Sequence, residues 1–123
     1  MRQGGIIRAF QAPSRKLPVI TGETQVAFIK EWKKMKDATG FSTVGIENSP
    51  GAVCTALGIG LRMLQGKKLK PDLLIDGHVI WTHPSLTVDN SNIDQIYDQC
   101  KDWADSYYVN TWYSDAQIDA LFQ

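Results

Sequence analysis

The chain has 123 residues, with 13 basic residues balancing 13 acidic ones and 43% hydrophobic content. That length supports one core and sets a single lobe as the ceiling, and the neutral balance supplies no electrostatic reason to bind nucleic acid. The start, MRQGGIIRAFQ, lacks the apolar run of a secretory signal, and no stretch approaches the ~18 to 20 apolar residues of a membrane span.

Gly4 to Ala12 predicts a helix with Ile6, Ile7 and Phe10 on one side, ended by Pro13. Leu17 to Thr21 is a short run with β-branched residues and reads as a buried strand, with Glu23 at its end. Thr24 is placed to cap a helix running to about Ala38, in which Phe28, Ile29, Trp32 and Met35 recur at helical spacing and Thr39-Gly40 forms the stop. Ser42 to Ile46 is the second strand. Asn48 or Ser49 then offers a cap, and Pro50 fits the first turn of a long helix ending near Gln65.

That helix leaves only Thr55, Arg62 and Gln65 as polar positions among Ala52, Val53, Cys54, Ala56, Leu57, Ile59, Leu61, Met63 and Leu64. Its apolar surface is wider than one amphipathic stripe and needs cover on most sides. Gly58 and Gly60 each cost roughly 1 kcal/mol against Ala, which is tolerable where a neighbour approaches closely.

Beyond the KKLK connector and Pro71, Leu73 to Ile75 and His78 to Thr82 read as one interrupted strand or two short ones around the turn signal Asp76-Gly77. Pro84 stops pairing. Ser91-Asn92-Ile93-Asp94 resembles a capping box opening a helix to about Tyr107, and Ser114-Asp115-Ala116-Gln117 resembles another, opening a short last helix that buries Ile118, Leu121 and Phe122. Alternation of helices and strands predicts an α/β fold of three layers, with a short, mostly parallel sheet flanked by helices.

Chemistry-bearing residues are few. Asp76, His78 and His83 are the one cluster of metal-ligand types, and on a continuous strand the two histidines point to opposite faces. There is no GxSxG elbow and no GxGxxG loop, so neither nucleophilic catalysis, a metal site nor a bound cofactor is expected. Cys54 and Cys100 fall in helices and suit packing better than a disulfide. What remains is Glu23, Glu47 and Asn48 at the carboxyl ends of two adjacent strands. Carboxylate and amide oxygens there suit the hydroxyls of a sugar or polyol, while the bland alternative is that these residues and Thr24 merely serve helix starts.

Four segments in order resemble the type I periplasmic sugar-binding proteins of ABC transporters. GGIIRAFQAPSRK is similar to GAxxAxxAAGRK, LPVITGE to a strand ending in a ligand-binding acid, VGIENSPGAVCTALGIGLRMLQGKK to VxQxPxxxGxxAxxxAxxLLQGKK, and LTVDNSNID to VTxENVD. Glu23 stands where many relatives have Asp, and Glu47 where they have Gln. The resemblance covers the last third of such proteins. It implies a non-catalytic sugar-binding role, a ligand-binding set of Glu23, Thr24, Glu47 and Asn48, an aromatic such as Trp81 or Trp112 for stacking, a membrane permease partner and a periplasmic location for the intact relative.

The resemblance further implies that residues 1–47 form a lobe core and that residues 48–68 cross toward an amino-terminal lobe this chain lacks. Residues 69–123 then supply a return strand and the final helices. On this reading the chain is one partial domain, a carboxyl-terminal fragment starting at an internal Met, and the uncovered helix makes it a homo-oligomer. Two other readings are open: the effector-binding portion of a LacI-type transcriptional regulator, which shares the fold, and a small flavodoxin-like α/β enzyme.

Overall fold

The computed structural model describes residues 9, 18–48, 50–80 and 82–123. The expected helix over Gly4 to Ala12 falls almost wholly outside them, as do Ser49 and Trp81. The protein is of the α/β class, with a three-stranded mixed sheet and helices. Its chain forms two compact units, where length alone led to one lobe. Among the described residues, the first comprises those up to 48 together with 86–110, and the second 50–80, 82–85 and 111–123.

In the first unit, β1 (Thr21–Glu23) lies parallel to β2 (Val44–Ile46), in the register Thr21 to Val44, Gly22 to Gly45 and Glu23 to Ile46. The third strand, β5 (Thr87–Val88), runs antiparallel to β2, so the sheet is mixed and only its first pair is parallel. The first strand begins four residues later than the apolar run suggested. Pro18 to Ile20 lie outside the ladder, Val19 is fully exposed, and the Thr43 hydroxyl donates to the Ile20 carbonyl.

Helix α1 (Val26–Thr39) crosses from β1 to β2 and buries Val26, Phe28, Ile29 and Trp32. Two glycines facing each other across the strand pair make room for it. A Cβ on Gly22 would stand 2.4 Å from the Phe28 ring, and one on Gly45 would stand 3.6 Å from the Trp32 ring. Phe28 and Trp32 therefore lie directly on the sheet, with their rings 5.9 Å apart. Gly40 ends the helix at φ 70°, a left-handed conformation in which its N–H reaches the Lys36 carbonyl, as the Thr39-Gly40 signal predicts.

Helix α3 (Ile93–Cys100) closes this core with Ile93, Ile96 and Cys100, alongside Val88 and Val109. Burial pushes the Cys100 thiol pKa up, the behaviour of a packing residue rather than a nucleophile. Its start differs from the expected capping box. Asn92 makes no cap bond; its amide donates to the Thr87 carbonyl and accepts from the Asp89 N–H, both at 2.9 Å. Asp89 accepts from the Ser91 hydroxyl and N–H, which holds its carboxyl below the ordinary value. The helix also stops at Cys100, well short of Tyr107.

The second unit holds α2 (Gly51–Leu64), the hairpin β3 (Leu74–Ile75) with β4 (Val79–Ile80), and α4 (Asp115–Asp119). The turn signal resolves as two short antiparallel strands: Asp76 and Gly77 both take positive φ and the His78 N–H reaches the Ile75 carbonyl at 3.1 Å. Ile59, Leu69, Ile118 and Phe122 form the core. Ser114 caps α4 in the box the sequence predicts, accepting from the Gln117 N–H while the Gln117 side chain accepts from the Ser114 N–H.

Candidate functional site

The carboxyl ends of β1 and β2 are adjacent because the two strands are parallel neighbours. Side chains alternate along a strand, so Glu23 and Ile46 share the sheet face turned away from Phe28 and Trp32, and Asn48 follows two residues on. There the Asn48 amide nitrogen lies 3.4 Å from the Glu23 carboxylate. That distance is at the long end of hydrogen bonding and leaves the carboxylate most of its acceptor capacity. Asn48 is exposed and Glu23 half-buried, so the pair lies within reach of a solute.

Glu47 sits between these faces in sequence and is buried, 7% exposed, with its backbone N–H bonded to the Leu86 carbonyl. Thr24 corrects the sequence reading most sharply. It is fully buried and caps no helix: its hydroxyl donates to the Val109 carbonyl at 2.9 Å, and its own carbonyl accepts from the Val109 N–H. Gln25 holds the N-cap position of α1, and its side chain makes no cap bond there. Thr24 is thus part of the scaffold beneath the site. Likewise α2 starts from Pro50 with no side-chain cap, so the capping role considered for Asn48 is not used.

The aromatic stretch Tyr107, Tyr108, Trp112 and Tyr113 reads in the sequence as a loop packed onto the body. The helix before it, expected to reach about Tyr107, ends at Cys100, and the course of the chain beyond it is set by the tertiary structure. Residues 105–109 run across the start of α1, where the Tyr107 carbonyl accepts from the Val26 N–H at 2.8 Å and the Asp105 carbonyl from the Ala27 N–H at 3.2 Å. A bridge joins Gln25 to Tyr108, and Lys30 grips Asp105 at 2.8 Å. Backbone carbonyls thereby occupy the N–H groups that an anion would otherwise use. The available signal was local: Ala104-Asp105-Ser106 is turn-forming, and Tyr107-Tyr108-Val109 favours extended chain.

Among the described residues no group of three or more His, Cys, Asp or Glu side chains could hold a metal ion, and no helix is long and apolar enough to cross a membrane. Cys54 and Cys100 are free thiols. Trp112 is exposed in the second unit. Chemically, the Glu23 and Asn48 pair offers hydrogen-bond acceptors and one amide donor on a rigid strand pair, a set suited to holding hydroxyls. No protein-family model, curated protein or solved structure matches this chain.

Proposed function

We propose that this chain is the carboxyl-terminal part of a sugar-binding component of an ABC transporter, which captures its ligand without chemistry and, in the intact protein, delivers it from the periplasm to a membrane permease. The observation that carries this reading is the Glu23 and Asn48 pair, side by side at the ends of two parallel strands and accessible to solute. Hydroxyl-rich ligands are held by such carboxylate and amide groups. Further support comes from the course of the chain. It leaves the first unit after residue 48, returns at 86 and leaves again after 110, and the first of these passages falls where the resemblance implies a crossing between lobes.

Half of a clamp loses most of the affinity of the whole, because the ligand stays partly solvated. The test is therefore an NMR titration of the isotope-labelled chain with D-ribose, D-galactose and D-glucose to ~100 mM, a range suited to millimolar dissociation constants. The expected result is saturable shifts confined to the amides of residues 22–24 and 46–48, abolished by Asn48→Ala with Glu23→Gln. Shifts that are absent, or equally large in that double variant, would overturn the reading.

A further inference from the structure

Helix α2 is built inside out. Its buried positions are Gly51, Thr55 and Ile59, one narrow stripe, and the polar residues of the helix are spent on its own unit. The Thr55 hydroxyl accepts from the Tyr113 N–H at 3.0 Å. Arg62, its side chain only 14% exposed, reaches Asp119 at 2.7 Å and Asp115 at 3.0 Å. The outward face is what remains: Val53, Leu57, Leu61, Met63 and Leu64 stand 69%, 62%, 49%, 49% and 87% exposed, interleaved with Ala52, Cys54 and Ala56. An ordinary surface helix has the opposite arrangement.

We propose that this face is a homodimer interface, in which α2 of one copy packs on α2 of a second copy about a two-fold axis near the middle of the stripe. Two properties favour a second copy as the occupant. An interface on a two-fold axis sets one patch against itself, so a charge near the axis meets its like, and one farther out needs an opposite charge elsewhere in the same patch. Between Gly51 and Leu64 the only charged side chain, Arg62, is turned inward and paired, so this patch meets itself without repulsion. The chain as a whole is also neutral, 13 basic against 13 acidic residues, and no long-range field opposes association.

The area is sufficient as well. Covering the five large side chains on both copies removes on the order of 1,200 Å² from water, the low end for specific interfaces. Val53, Leu57 and Leu64, spaced by four and seven residues, follow the seam on which a helix pair meets.

Light scattering across a concentration series up to ~100 μM tests the pairing, with a particle of twice the 13.7 kDa chain mass expected at the upper end. Leu57 is exposed, so Leu57→Lys and Leu57→Glu should each fold, checked by circular dichroism, and each alone should be monomeric, with dissociation at least about tenfold easier. An equimolar mixture of the two should restore the dimer, because opposite charges then meet near the axis. A wild-type monomer throughout the series would overturn the proposal. So would a charged variant that associates like the wild type, or a mixture that stays monomeric. Sugar titration is read at residues 22–24 and 46–48, so this outcome and that of the binding reading are independent.

Discussion

Thr24 illustrates how much one side chain can be asked to do at the foot of a site. Its hydroxyl and carbonyl together hold Val109, and through it the segment that covers the start of α1. Thr24→Val keeps the shape but leaves the Val109 carbonyl without that donor in a buried position. Such a loss costs about 1 to 2 kcal/mol. The expected outcome is a lower urea midpoint, with Thr24→Ser recovering most of the stability. The aligned pair Gly22 and Gly45 acts through absence instead, letting Phe28 and Trp32 lie on the strands. The indole N–H of Trp32 has no partner among the described residues, so this ring is held by packing.

At the scale of elements, α2 and α4 are tied by charge as well as by the Gly58 and Ile118 contact. A Cβ on Gly58 would stand 2.5 Å from the Ile118 side chain, so Gly58 has the close neighbour its presence predicts, while at Gly60 the space is open. Asp119 accepts from Arg62 at 2.7 Å and from Lys67 at 3.0 Å, and these bonds lower its carboxyl pKa from 3.8 to about 2. The folded-state value lies below the unfolded one. The stabilisation is therefore complete above about pH 4 and is lost as pH falls toward 2. Thermal melts from pH 7 to 2 at low salt should show this acid loss in the wild type, and Asp119→Asn should flatten that part of the curve. Because the pair is near the surface, added salt should shrink the difference.

Across the whole molecule, the two units have cores of unequal size. The first buries Val26, Phe28, Ile29, Trp32, Val88, Ile93, Ile96, Cys100 and Val109, whereas the second relies on Ile59, Leu69, Ile118 and Phe122. Local opening costs scale with the apolar surface an opening exposes. Native-state hydrogen exchange should therefore find the α1 amides around Ile29 and Trp32 the slowest, with those of α4 and the β3–β4 hairpin opening at lower free energy. Equal protection in both units would mean that they unfold together.

The sequence by itself determined the α/β class, because helical and strand periodicities alternate along the chain and local signals such as Thr39-Gly40, Asp76-Gly77 and the Ser114 to Gln117 box depend only on near neighbours. It also determined that the residues from Ala52 to Leu64 make a helix too apolar for one buried stripe. Tertiary structure alone decided the rest. The antiparallel third strand, the end of α3 at Cys100, the inward turn of Thr24 and the outward turn of the apolar face of α2 each depend on a partner far away in the chain. Val109 lies 85 residues from Thr24, and Tyr113 lies 58 from Thr55. No local pattern encodes such pairings, because they form only when the core has brought the segments together.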